Sequence, residues 1–318
     1  MSNRDYGDFE YPTSDNYGSG DYYEAENYGP GAFDVNAAHG ALHLHGTRLV
    51  DGAYGDGQQL HPVNDPQANG WVHRRGTGKM NPFAAWGFGF KATFANWKLW
   101  ITVGALFFLG IFVLSIFAPL LANLLSVAML FLYPALFSLA LLNTLVKDWK
   151  FDGLRSPNYG PALGMVFVLL VVSVLFSFLF TFLGSLIFGG EFVDRLAAID
   201  PADIEAANVD ALLGVLGAMG KILAVVGLGM FLISPFFLFP MLYAADNAAD
   251  FGTCIKEGVA AGGRNYGWGL LFVLIALVLA VVGSLLLGLG LIVVLPATFL
   301  AQTYAYRQVS GGPVPADA

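Results

Sequence analysis

An all-α integral membrane protein, with six transmembrane helices arranged as three hairpin pairs, is the fold class this sequence predicts. Three observations predict it. Charged residues make up only 12% of the 318-residue chain and hydrophobic residues 56%, with a mean hydropathy of +0.63, whereas soluble domains are about a quarter charged. Four stretches carry no charge at all: Ile101 to Leu145, Pro161 to Gly190, Ile222 to Ala245 and Tyr266 to Tyr306. A bilayer core about 30 Å thick is crossed by about 20 apolar helical residues, so a run of about forty suits two crossings rather than one. Finally, an apolar run interrupted by proline and ending in polar residues occurs three times, as LYPALFSLALLNT from Leu132, LFPMLYAADNAAD from Leu238 and VLPATFLAQTYAY from Val294.

Residues 1–80 come first and differ from the rest. They are polar, acidic and glycine-rich, and hold seven of the thirteen tyrosines and all five histidines. Such a composition buries too little apolar surface to offset the entropy of ordering, which predicts a disordered tail. Tyr6, Tyr17, Tyr28 and Tyr54 each precede glycine, a pattern of low-complexity segments that self-associate through aromatic contacts. No basic stretch leads into an apolar core here, so no cleavable signal peptide is expected. His39, His43 and His45 lack a fourth ligand or a rigid frame nearby, and no metal is expected.

The membrane domain is predicted over 81–311, followed by a short tail at 312–318. It opens with an interfacial helix over 82–97, where Trp86, Phe90, Phe94 and Trp97 recur at helical spacing with Lys91 and Lys98 among them, the pattern of an amphipathic helix lying on a leaflet. A weaker copy, Phe251, Ile255 and Val259, precedes the third pair. Cys254 on that segment leaves reversible palmitoylation open. The predicted spans are Leu99 to Leu120 and Leu124 to Val146, Ala162 to Phe188 and Leu212 to Tyr243, and Leu270 to Ser284 and Leu287 to Tyr306. Asparagine followed by an aromatic residue opens each pair: Asn96-Trp97, Asn158-Tyr159 and Asn265-Tyr266. The last two spans leave open a single bent helix, which would make five crossings.

Lysine and arginine fix the predicted orientation. Arg74, Arg75, Lys79, Lys91, Lys98, Lys147, Lys150, Arg155, Lys256, Arg264 and Arg307 fall on one side, and Arg195 and Lys221 on the other, beside an acidic loop over 190–211. Both termini are therefore expected in the cytoplasm of a bacterial cell, with the chain a multi-pass protein of the inner membrane.

The motifs of hydrolases, metalloproteases and phosphate-binding loops are missing from this sequence. The single cysteine excludes an intramolecular disulfide and multi-cysteine metal centres. A net charge of −8 does not suggest nucleic acid as a partner. No catalytic residue, cofactor or metal is expected. The candidate functional positions are Pro134, Pro240 and Pro296, read as three equivalent kinks whose freed carbonyls need donors from neighbouring helices or water; Asp246, Asn247 and Asp250, a polar cluster at the inner end of the fourth span, where a solvated helix exit is expected; and Lys221, expected to snorkel to the outer surface, with a contact to a lipid headgroup or anionic substrate as the sharper alternative. Ser173, Ser177, Thr181 and Ser185 form a polar stripe suited to helix contact.

The proline phrase, the ending AQTYAYRQVSG and the Tyr/Gly-rich head together resemble the uncharacterised proline- and glycine-rich transmembrane proteins of actinobacteria. More distantly the chain is similar to six-span bacterial membrane domains that stand alone or precede a glycerophosphodiester phosphodiesterase domain. The likeness covers roughly residues 80–311 and rests on Pro296 and Tyr306-Arg307; the head is less proline-rich than in that family. It implies an inner-membrane protein with no assigned activity and brings no catalytic residues. The expected function is a non-enzymatic scaffold or accessory subunit whose tail recruits membrane or cytoplasmic proteins. The alternative is a transporter or channel for a lipid or small amphiphile, and an intramembrane enzyme ranks third.

Overall fold

The computed structural model describes residues 70–147, 159–199, 209–246, 248–285 and 287–316. It is mostly helical. Strand β1 (His73–Arg75) is followed by α1 (Pro82–Ala95), α2 (Trp97–Phe117), α3 (Pro119–Leu145), α4 (Tyr159–Ala197) and α5 (Val209–Ile233). A 3-10 turn (Ser234–Phe237) leads to α6 (Pro240–Ala245), and then come α7 (Phe251–Arg264), α8 (Tyr266–Leu285), α9 (Leu291–Ser310) and β2 (Pro313–Pro315). By length and composition, five segments suit a membrane crossing: Trp97–Phe117, Pro119–Leu145, Tyr159–Ala197, Leu212–Ala245 and Tyr266–Leu285. The apolar side chains on them are widely exposed, Phe117 at 80% and Leu120 at 73% among them, which water does not tolerate over so large a surface and lipid does.

The helix boundaries follow from local chemistry. Asn81 caps α1, its Oδ1 accepting from Ala84 N at 3.1 Å, with Pro82 in the first turn where no backbone donor is needed. Asp250 caps α7 in the same way, accepting from Thr253 N at 3.0 Å. Pro119 starts α3 directly after α2. Gly311, at φ 79°, ends α9 in the left-handed conformation that glycine adopts without strain.

The core sits at one end of the bundle. Residues 134–146, 239–246 and 303–309 are buried without interruption, while the opposite ends of the long helices stay open. Helix contacts run round in a cycle. α1 lies along α9, and α7 lies against the 3-10 turn and α6. α2 packs on α9, α4 on α3, and α8 on the 3-10 turn. Each leading helix and each first long helix thus meets the proline-bearing segment of the preceding unit.

Several expectations are corrected. The predicted disordered tail lies outside the described residues up to residue 69, but residues 70–80 belong to the folded body. β1 pairs antiparallel with β2, with Arg74 opposite Val314, and Trp71, His73 and Met80 are buried. The segment 312–318 accordingly supplies a strand rather than a loose end. Nor does α1 lie as a free interfacial helix: Trp86 stacks on Phe272 at 5.2 Å and Phe88 on Tyr304 at 4.9 Å. Only its outer face, with Phe83 and Phe94, is exposed. Residues 190–211 are not a loop throughout, because α4 continues to Ala197 and α5 begins at Val209. Cys254 is buried, its thiol facing the Ala249 carbonyl at 3.3 Å, so it presents no surface for palmitoylation.

Candidate functional site

The C-terminal ends of α3, α6 and α9 converge on a buried polar network. Arg307 Nη1 donates to Asp246 Oδ2 at 2.9 Å, and both side chains are fully shielded from solvent. Tyr306 donates its hydroxyl to the same oxygen at 2.8 Å and meets the ring of Tyr243 edge-on at 5.1 Å. Arg307 Nε donates to Thr144 Oγ1 at 3.1 Å, and that hydroxyl passes its own proton toward the Leu141 carbonyl at 2.6 Å. His73 Nε2 donates to the Thr144 carbonyl at 2.7 Å, and Trp71 Nε1 to the Asn143 carbonyl at 3.1 Å. Trp100 from α2 donates to Asn143 Oδ1. The network therefore ties the ends of three proline-bearing segments to α2 and to the N-terminal ribbon.

Burial pushes the Asp246 carboxyl up to about 6, against the opposing pull of the Arg307 guanidinium and the Tyr306 hydroxyl. It faces the Arg307 guanidinium as an ion pair. A buried pair of this kind gains little over an apolar core, but losing one partner strands the other charge. Asp246 is thus no solvated helix exit, as the sequence suggested. Arg307, which the sequence marked as part of the inner-side positive charge and of the Tyr306-Arg307 motif, is its partner. A signal for the pair was available: Asp246 and Arg307 each stand eleven residues past a proline, Pro235 and Pro296, with opposite charge.

The other sequence candidates separate from this cluster. Asp250 is the α7 cap, held below the usual carboxylate range by its hydrogen bonds from Thr253. Asn247 lies outside the described residues. Lys221 is bound to Glu191 at 2.7 Å on the α4–α5 pair, partly exposed, so its charge is met within the chain. In the polar stripe of α4 the close approach to α5 is made instead by Gly184, against Ile222. The described residues include no group of three histidine, cysteine or acidic side chains able to hold a metal.

The three prolines are not equivalent. Pro134 and Pro296 lie inside continuous helices, whereas Pro240 begins α6 after the 3-10 turn. The structural counterpart of Pro134 is Pro235. Tyr159 donates its hydroxyl to the Phe131 carbonyl at 2.8 Å, and Tyr266 donates to the Leu232 carbonyl at 2.9 Å. Each acceptor stands three residues before its proline, in the turn where the ladder is interrupted. Ser234 Oγ donates to the Phe231 carbonyl at 2.7 Å, the acceptor that Pro235 cannot reach. At Pro296 the freed Ile292 carbonyl faces Gly104 of α2, where a Cβ would come within 1.9 Å of that oxygen. The aromatic residue after each asparagine, read from sequence as a start signal, thus has a second use in two of the three units.

Comparison with protein-family models, with curated proteins and with solved structures finds no match for the chain.

Proposed function

We propose that the chain is a multi-pass protein of the bacterial cytoplasmic membrane, crossing it six times as three pairs closed into a ring, and that it acts as a non-catalytic scaffold or accessory subunit. α9 is then the sixth crossing, less apolar than the others because its inner half carries the polar network. The pairing of β1 with β2 brings Gly70 and Ala316 to the same end of the body, which supports an even number of crossings. The lysine and arginine bias supports the cytoplasm as that side. The resemblance to the actinobacterial proline- and glycine-rich transmembrane proteins implies an inner-membrane protein, and the more distant one to six-span bacterial membrane domains implies six crossings.

The observation that carries the scaffold reading is the sealed Asp246–Arg307 pair. The strongest charges at the convergence of the helices are spent on joining the units, in a core filled by Tyr304, Tyr306 and Phe88. That arrangement suits a rigid platform better than an active site. The tyrosine- and glycine-rich residues 1–69 are then the segment that gathers protein partners, with the lipid bilayer as the body's surroundings. Deleting residues 1–69 and identifying co-purifying proteins tests this: membrane insertion persists and partners are lost. An unchanged set of partners contradicts it.

A second reading, transport of a lipid or small amphiphile, is favoured by one feature. The crossing that contains α5 is broken between Pro235 and Pro240, and Gln302 Nε2 donates to the Leu238 carbonyl inside the break. Broken helices of this kind line substrate sites in transporters. Flux or lipid movement in vesicles containing the purified chain would favour it over the scaffold.

A further inference from the structure

α4 is longer than its companions and longer than a membrane needs. Tyr159 at the start of α4 and Tyr266 at the start of α8 make the same bond, to a carbonyl three residues before a proline, so the two helices start at one level. α4 has 39 residues and α8 has 20, which at 1.5 Å per residue carries α4 about 28 Å further. Tilting does not absorb the difference. A helix of about 58 Å tilted by about 40°, the upper end of the usual range, still rises about 45 Å through a core of about 30 Å. The outer part of α4, with the part of α5 beside it, therefore stands beyond the lipid core as a stalk.

One side of the stalk is satisfied within the chain. Gly184 approaches Ile222, Lys221 Nζ lies 5.9 Å from the Phe188 ring and bonds Glu191, and the stem of Arg195 lies against Gly214. The opposite side is not. Leu186, Gly190, Val193 and Ala197 are all exposed there, spaced by four, three and four residues, and Leu179 and Leu183 extend the same line back into the lipid core. This is the spacing of a coiled-coil seam. Ile187 and Leu196, exposed at 65% and 51%, widen it on its two flanks. An apolar seam of this extent does not stand free in water.

We propose that the chain dimerises through this seam, the α4 stalks of two copies pairing in parallel above the membrane. The inference rests on the membrane reading above. Two copies inserted in the same direction bring identical seams to the same height and in parallel, so that each seam residue faces its counterpart. Charge agrees: Glu191 and Arg195 lie on the α5 side, and Asp194 on the flank comes opposite Gly189 of the second copy, which carries no charge. Gly190, with open space where its Cβ would be, lets the two helices approach closely.

The test uses the full chain in native membranes, with Cys254→Ser to remove the natural thiol and single cysteines added by Leu186→Cys, Val193→Cys or Thr181→Cys. Thr181 is exposed but off the seam. Mild oxidation is expected to link Leu186→Cys and Val193→Cys into dimers with a yield about fivefold or more above Thr181→Cys, as facing seam positions lie within disulfide reach. Equal yields at the three positions, or unlinked seam cysteines in a chain that sediments with the membrane, overturn the dimer alone. A chain recovered in the soluble fraction overturns the membrane reading, and the dimer with it.

Discussion

Asp246 and Arg307 occupy matching positions, each eleven residues past a proline, and meet at 2.9 Å with no access to solvent. Two units thus contribute opposite charges to one contact, and Thr144 from the third holds the arginine from the side.

Removing either charge alone strands the other in the core. Asp246→Ala and Arg307→Ala are each expected to lower stability by about 3–5 kcal/mol. The double replacement Asp246→Leu with Arg307→Met is expected to recover most of that loss. Thermal unfolding of the detergent-purified protein measures all three, and a double variant worse than either single one contradicts the pairing.

The tyrosine bonds at the proline turns are expected to be worth about 0.5–1.5 kcal/mol each, the usual range for hydrogen bonds within a membrane bundle. Tyr159→Phe and Tyr266→Phe remove only the hydroxyl. In a double-mutant cycle with Pro134→Ala, which removes the ring that bends the turn and lets Ala135 N donate to the Phe131 carbonyl, the cost of Tyr159→Phe is expected to shrink. An unchanged cost would mean that the hydroxyl does not serve the interrupted turn.

Gly104→Ala places a methyl group 1.9 Å from the Ile292 carbonyl oxygen, between two backbones that cannot both stay in place. The expected loss is about 2–3 kcal/mol, as for overpacking elsewhere in cores. Gly87→Ala on α1 meets nothing within 4 Å and is expected to be neutral or slightly stabilising. Equal effects on unfolding temperature at the two sites would contradict the close packing of α2 on α9.

Lys221→Ala breaks a partly exposed ion pair and is expected to leave the unfolding temperature nearly unchanged. A thiol reagent should leave Cys254 untouched in the native protein and modify it after denaturation, because the side chain is buried and burial pushes its thiol up to about 11. Rapid native labelling would contradict the packing of α7.

Much of the membrane body was legible in the sequence because charge is excluded from lipid-facing helices wherever they run. The void from Tyr266 to Tyr306 and the asparagine-aromatic pairs carry that information locally. Long-range contacts did not show. Arg307 reads as one more inner-side cation unless Asp246, sixty-one residues earlier, is known to face it. His-Arg-Arg and Pro-Val-Pro have no strand pattern; they pair because the ends of the body meet, where Tyr304 donates its hydroxyl to the Pro315 carbonyl at 3.1 Å. The proline phrase misled at its second copy. LFP repeats the wording of LYP, but the 3-10 turn shifts the chain so that Pro235 takes the place of Pro134. In α1 the sequence marked one apolar face, whereas α9 buries Phe88 on another.

The paired ends of the body and the six crossings stand or fall together. Reporters fused separately before Met1 and after Ala318, one fluorescent only in the cytoplasm and one enzymatically active only outside it, measure this directly. The account predicts that both ends report from the cytoplasm. Ends on opposite faces of the membrane would contradict it.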